Sequence, residues 1–314
     1  MAGRPPNDLT LAELLPGAEA AGYAVGSFAP RTAALIRPVL RAGQRADSPL
    51  IVQISENEFK WFQLDAAEFA DEFYRAVREE GITVPLVLHL DHTRAIPPVH
   101  AAIAAGFTSV MIDASALELA ENIATTRAVV DYAHPRGVSV EGELGRIGTG
   151  DFVETDRDEE LYTDPAQAGR FVRQTDVDAL AVSVGTAHGV YMVRQPKIDY
   201  DRLCAIKRQA PGVHLVLHGG SGVPAEMMAR AIHLPCGAVS KVNIATDLEL
   251  AALAGLGRPA PAGGQPQAGQ RLTNAEWWAL PAADLARAAA AVEETVTDKI
   301  LNFLGSQGRA ADFH

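Results

Sequence analysis

Cysteine is nearly absent: Cys204 and Cys236 are the two in 314 residues. So few exclude a disulfide scaffold, and a reducing, cytoplasmic environment is the expected one. Basic residues are also short. The 27 Lys and Arg face 39 Asp and Glu, a net charge of −12. A chain of that sign is not expected to take nucleic acid or an anionic membrane surface as its main partner. A local pocket can still attract a small anion. No apolar run approaches the length that spans a bilayer, and Met1–Asp8 lacks the apolar core of a secretory signal. What is present is hydrophobic: 48% of the residues, enough to bury a large core. The length suits one α/β barrel, a fold of about 250 residues.

Short β-rich runs alternate with helical patterns along the chain. Strands are expected at Ala24–Phe28, Leu50–Ile54, Pro85–Asp91, Ser109–Asp113, Ser139–Leu144, Ala179–Val184, Leu215–His218 and Ser240–Ile244. Helices are expected at Thr32–Ala42, Asp65–Glu80, Ile96–Ala105, Ala116–Ala133, Pro165–Thr175, Asp199–Gln209, Pro224–His233 and Ala275–Phe303. Strands alternating with helices imply a parallel sheet. Eight such units point to a closed (β/α)8 TIM barrel, a single domain over residues 1–314, with an open doubly wound sheet as the alternative. Two stretches break the rhythm. Arg146–Leu161 is polar and acidic and reads as a long loop; Gly255–Gln270, rich in Ala, Gly and Pro, reads as a flexible insertion before the C-terminal helix.

In a barrel the C-terminal ends of the strands carry the chemistry. Here the third strand ends in His89, Asp91 and His92, and the fourth in Asp113. The fifth carries Glu141 and Glu143, and the sixth runs into His188. The seventh ends in His218, and the eighth leads to Asn243, Thr246 and Asp247. His92, His188 and His218 with one carboxylate form a candidate zinc site, since catalytic zinc takes nitrogen and oxygen donors and keeps one position open. Glu143 is the expected carboxylate ligand. Glu141 and Asp113 remain for an outer shell or an alternative metal position. Alternation along the strand sets Asp91 and His92 on different sides, so Asp91 is read as a proton donor or acceptor beside the metal, or as a group that orients a ligand imidazole. His89 is either a support for the site or a packing residue. His100, His134, His214, His233 and His314 are read as ordinary surface or structural histidines.

Gly219-Gly220-Ser221-Gly222 precedes Pro224, which suits the first residue of a helix. Glycines let backbone approach an anion, and helix N-termini offer free N–H groups. Barrel enzymes often bind phosphate after strands seven and eight, where this loop and Asn243–Thr246 fall.

These residues resemble those of the class II, zinc-dependent ketose-bisphosphate aldolases, of the fructose- and tagatose-bisphosphate aldolase type. The matching stretches are VPLVLHLDH, AGFTSVMIDAS, VSVEGELGRIG, YTDPAQAGRFV, DALAVSVGTAHGVY, LVLHGGSGVP and KVNIATDL, in the family's order over residues 84 to 248. GYAVGSF and LIVQIS match more weakly. The resemblance implies an aldehyde-lyase with Zn2+ on His92, Glu143, His188 and His218, and with Asp91 as the acid that protonates the aldehyde oxygen during condensation. It places Gly189, Gly219 and Ser221, with Asn243 and Thr246, at the dihydroxyacetone phosphate end, and Gln53 and Ser55 near a second phosphate. It also implies a monovalent cation, Na+ or K+, by the Gly189 and Gly219 backbone, and a homodimer or homotetramer.

Zinc would act as a Lewis acid on the carbonyl and hydroxyl oxygens, so no lysine imine is needed. Of five lysines, Lys241 alone lies on an expected barrel strand. Some positions depart from the family. Ala29 follows Phe28 where relatives usually have an Asn that steadies the enediolate. Gly148-Thr149-Gly150-Asp151 replaces Gly-Gly, one residue, then an acid, so the C3 base is either Asp151 or Glu154. Thr93 replaces a usual Gly. The family's basic, aromatic C-terminal stretch gives way to the Ala/Gly/Pro segment and Asn274–Trp278, with Arg271 a candidate contact for an anionic acceptor. These departures favour a specialised sugar aldolase over a housekeeping glycolytic one. Two rivals stay open: a metal-dependent sugar-phosphate epimerase or isomerase on the same barrel, and a non-catalytic protein that binds metal and phosphate.

Overall fold

The computed structural model describes residues 5–146, 148–149, 161–189, 196–237, 239–261, 266 and 270–313. Eight strands close into one parallel barrel: β1 (Val25–Phe28), β2 (Leu50–Ser55), β3 (Leu86–Thr93), β4 (Ser109–Ile112), β5 (Ser139–Leu144), β6 (Ala179–Val182), β7 (His214–Leu217) and β8 (Val239–Ile244). Each strand pairs with its sequence neighbours, and β8 returns to β1 with Ser27 opposite Asn243. The strands are covered on both faces, which is why they read as near-continuous apolar runs.

The core has two shells. The larger lies between the barrel and its helices, with Phe28, Phe69, Phe73, Phe107 and Phe171 fully buried. The smaller fills the lower barrel, where Val25, Ile51, Val87, Met111, Ala179 and Val216 meet Leu11, Leu14, Leu15 and Ala18. Those last four belong to the helix Leu11–Ala21, which plugs the N-terminal end. Thr10 and Glu13 cap it reciprocally, and its Leu11 N–H donates to Ser139 Oγ of β5 at 2.9 Å. Each buried leucine there contributes roughly 2 kcal/mol. Above this floor the interior turns polar: Ser27, Gln53, His89, Asp91, Glu141, His218, Lys241 and Asn243 are all buried.

The eight strands fall where the sequence places them, within a residue or two at their ends. The expected helix Thr32–Ala42 is a 3-10 turn, Ala33–Leu35, followed by Ile36–Arg45. The expected Ala275–Phe303 is broken before Pro281 into Asn274–Trp278 and Ala282–Lys299, with a π turn over Ile300–Leu304. Among the described residues three α-helices have no counterpart in the sequence reading: Leu11–Ala21, Glu56–Phe62 and Thr246–Gly255. Residues 262–265 and 267–269 of the insertion expected at 255–270, and the loop residues Asp151 and Glu154, lie outside the described residues.

The two cysteines, expected in a reducing environment, are joined: Cys204 on helix Tyr200–Gln209 is bonded to Cys236, past helix Ala225–Ile232, with Cα atoms 5.5 Å apart. One bond between outer helices is not a scaffold. Among the described residues no helix is long and apolar enough to cross a membrane.

Candidate active site

A cavity of about 440 Å³ opens at the C-terminal end of the barrel. Asp91, His92, Asp113 and Glu143 line one side, and Gly189, Gly219, Ser221, Asn243 and Thr246 the other, with Gln53 and Ser55 between.

Alternation does not hold at the end of β3. Its register with β4 shifts between Leu90 and Thr93, and His92 has φ +42°, in the left-handed region that non-glycine residues rarely enter. The bulge turns His92 inward beside Asp91, so both face the cavity. His92 Nδ1 then lies 3.5 Å from Asp113 Oδ2 and 3.7 Å from Glu143 Oε2. His218 Nδ1 comes within 3.8 Å of the same Glu143 oxygen, and the two imidazoles meet edge to face with centroids 4.5 Å apart.

Glu143 Oε2 is buried and receives no hydrogen bond among the described residues. Tetrahedral bonds of about 2.1 Å to zinc put donor atoms about 3.4 Å apart, near the distance of each Nδ1 from this oxygen; donor atoms of His92, Asp113 and Glu143, and of Asp91, His92 and His218, lie within 4.8 Å of one another. His188 sits on a two-residue strand, Ala187–His188, paired with Gly148–Thr149; its side chain lies outside the described residues. Asp113 Oδ1 accepts from the Ser115 hydroxyl at 2.6 Å and backbone N–H at 3.2 Å, leaving Oδ2 toward His92.

The electrostatics call for positive charge, which a proton on His92 supplies and which a metal would have to displace. Burial opposes a charged His92, yet Asp91, Asp113 and Glu143 outweigh it and hold the ring up to about 10. Burial, with Asp113, Glu141 and Asp91 nearby, pushes Glu143 up to about 8 against the pull of His92. Burial also works against Asp113, but His92 and Ser115 keep its carboxyl well below the usual range. Carboxylates outnumber cations here, a deficit that a bound cation fills. His89 and His218 are held neutral by burial, the form in which imidazole ligates.

The supports lie below. Glu141, fully buried, has Oε1 2.9 Å from His218 Nε2. A histidine that gives one N–H to a carboxylate presents its other nitrogen to a metal, so Glu141 stands where an orienting carboxylate stands. Asp91 is gripped on both oxygens: Gln53 Nε2 donates to Oδ2 at 3.1 Å and Asn243 Nδ2 to Oδ1 at 3.0 Å. Ser27 Oγ donates to Gln53 Oε1. Burial raises the Asp91 carboxyl above its ordinary range. His89 bonds to Ser109 Oγ at 2.8 Å and lies 3.6 Å from Glu141 Oε2, beneath the cavity. Lys241 is fully buried, 2.9 Å from Glu141 Oε2, and donates to Asn243 Oδ1 at 2.6 Å.

On the opposite wall Gly219 has φ +68°, and a Cβ there would meet Ala187 O at 2.2 Å, so glycine is obligatory. Gly220 N–H donates to Asn243 O at 3.0 Å, which ties this loop to β8. Ser221 Oγ accepts from Asp247 N–H at 3.2 Å in the first turn of helix Thr246–Gly255, whose N-terminus faces the cavity. Pro224 is the cap of helix Ala225–Ile232, one place before the position expected.

The remaining histidines stand apart. His134 pairs with Asp178, His214 with Glu19, His233 bonds Ala229 O, and His100 stacks on Tyr132; His314 lies outside the described residues. Arg271 is taken by Glu249 at 2.7 Å, over the Trp61 ring, so its guanidinium is committed to the wall. Sequence reasoning missed Arg31. It lines the cavity at φ +65°, 2.9 Å from Glu58 and 3.1 Å from Glu249, and donates to Thr246 Oγ1 at 3.4 Å. Ser55-x-x-Glu58 is a visible capping box that would have marked Glu58; no motif marks Arg31.

A parallel barrel with such a cluster at its strand ends has the frame of a TIM-barrel enzyme. The family model described as class-II fructose-bisphosphate aldolase matches residues 9–309, and the chain belongs to that family. The crystal structure of the YdjI aldolase from Escherichia coli K12 matches with TM-score 0.77 at 31% identity, covering 96% of this chain and 99% of that one. A fructose-bisphosphate aldolase from Campylobacter jejuni matches with TM-score 0.72 at 22% identity, over 95% and 96%, a likeness of fold.

Proposed function

We propose that the protein is a zinc-dependent aldolase that reversibly cleaves a ketose phosphate, of the fructose- or tagatose-bisphosphate kind, into dihydroxyacetone phosphate and an aldehyde. One observation carries this: the buried Glu143 oxygen without a hydrogen bond, 3.7 and 3.8 Å from the Nδ1 atoms of His92 and His218. His92, His218, Glu143 and, in this reading, His188 hold the ion. When bound, zinc supplies Lewis acidity toward the ketone and hydroxyl oxygens. Gly189, Gly219, Ser221, Asn243 and Thr246 receive the phosphate, with Na+ or K+ beside the glycine backbone.

Asp91, gripped by Gln53 and Asn243, delivers a proton to the aldehyde oxygen in condensation and removes it from the hydroxyl in cleavage. Asp151 or Glu154 exchanges the C3 proton. Ser55 caps a helix with its hydroxyl, beside the acceptor end. The Lys241 amine, buried against Glu141 and Asn243, offers no imine nucleophile to the cavity. The assembly in this reading is a homodimer or homotetramer.

The test is triose release from a panel of ketose mono- and bisphosphates, before and after chelation. Cleavage is expected to vanish in excess EDTA and return with zinc or cobalt. Full activity in EDTA, with inactivation by borohydride plus substrate, would overturn the proposal. Turnover of substrate without triose release would point to an epimerase or isomerase.

A further inference from the structure

Among the described residues the barrel interior holds a buried lysine, Lys241, that the chemistry above does not use. We propose that Lys241 is a positioning residue: its ammonium joins the side chain that orients His218 to the side chain that orients Asp91. The proposal rests on the metal-dependent reading of the site and goes beneath it.

The argument is one of hydrogen-bond direction. An ammonium has three donors and no acceptor. Asn243 therefore turns its oxygen to Lys241, 2.6 Å away, and is left to point its NH2 at Asp91 Oδ1, 3.0 Å away. With the amide reversed, oxygen would face the carboxylate and Asp91 would lose that donor. On the other side Lys241 Nζ lies 2.9 Å from Glu141 Oε2 as an ion pair outside hydrogen-bond geometry, which sets a carboxylate, an acceptor only, against the ammonium. His218 must then give its Nε2 hydrogen to Glu141 Oε1, 2.9 Å away, which leaves the Nδ1 lone pair toward Glu143.

One donor-only group thus sets an amide orientation on the acid side and a ring tautomer on the metal side. All four members, Lys241, Glu141, His218 and Asn243, are buried, Asn243 being the most accessible at 7%. Water has little access to substitute for a missing member, and errors in such networks are costly. Lys241 and Asn243 are two apart on β8, so both reach the interior from the same strand face.

The experiment compares wild type with Lys241→Met, which keeps the length and removes the donors. Zinc affinity is read by competition with a chromophoric chelator, ligand geometry by the visible spectrum of the cobalt-loaded protein, and turnover by released triose. Near-ultraviolet circular dichroism checks that the fold is kept. Zinc binding is expected to weaken about 10- to 100-fold, the cobalt bands to shift, and kcat to fall more than KM rises. A folded Lys241→Met with unchanged zinc affinity and cobalt spectrum would reduce Lys241 to packing and overturn the proposal.

Should that variant fail to fold, Glu141→Gln keeps the shape of the relay and removes its anion. Weakened zinc binding supports the inference, and wild-type affinity overturns it. A wild-type protein that binds zinc but releases no triose would sink the aldolase reading while the zinc comparison still judges Lys241.

Discussion

The bend at His92 decides what the cavity contains. A regular strand would send Asp91 and His92 to opposite sides; the bulge before Thr93 and a left-handed His92 bring both to the same opening. Asp91→Ala is expected to cut turnover by at least about 10²-fold, the size of a lost general acid–base, while zinc stays bound by equilibrium dialysis. Near-normal turnover would remove Asp91 from its role. Arg31 is the second decisive side chain, because it neutralises two buried carboxylates, Glu58 and Glu249. Burial raises the Glu58 carboxyl even with Arg31 beside it. Arg31→Met, by stranding Glu58 while Glu249 keeps Arg271, is expected to cost about 3 kcal/mol of stability in urea unfolding.

At this scale the sequence shows residue types at strand ends but not their directions. The clustering of His92, Glu143 and His218 was legible because strand ends were. The inward turn of His92 was not, since a bulge leaves no mark in the apolar pattern. Gln53, expected near a second phosphate, has its amide on Asp91, a contact that depends on the register of β2 against β3.

Among the elements, the strands were the most legible, because buried parallel strands need apolar residues on both faces. The floor helix Leu11–Ala21 was the least, since it precedes the first strand and carries Pro16 inside. It is pinned by Glu19, whose carboxylate lies 2.6 Å from Lys207 and 2.7 Å from His214. Burial alone would raise Glu19, but those two partners hold it below the ordinary 4.5. A depressed carboxylate contributes stability fully present above 4.5 and lost as pH falls through its folded value. Glu19→Gln is therefore expected to lower the melting temperature at pH 7 and to flatten its decline below pH 4.5. An unchanged acid profile would separate the helix from this contact. The helix Thr246–Gly255 was hidden for another reason: the Ala/Gly/Pro run that begins at its last residue masked its pattern.

For the whole molecule, composition and strand count were enough to name the barrel, and the cysteine count was not enough to foresee the pairing of Cys204 with Cys236. That bond closes a separation of 32 residues, for which chain entropy gives about 4 kcal/mol. Cys204→Ser is expected to lower stability by about that amount, and denatured, unreduced protein to show no reactive thiol. Two reactive thiols without reductant would mean the bond does not form in solution. The same molecular view gives the floor helix a meaning for traffic. With its base stoppered by Leu11, Leu14 and Leu15, the barrel is a cup among the described residues, so whatever the site takes must come and go past the rim at the strand C-termini.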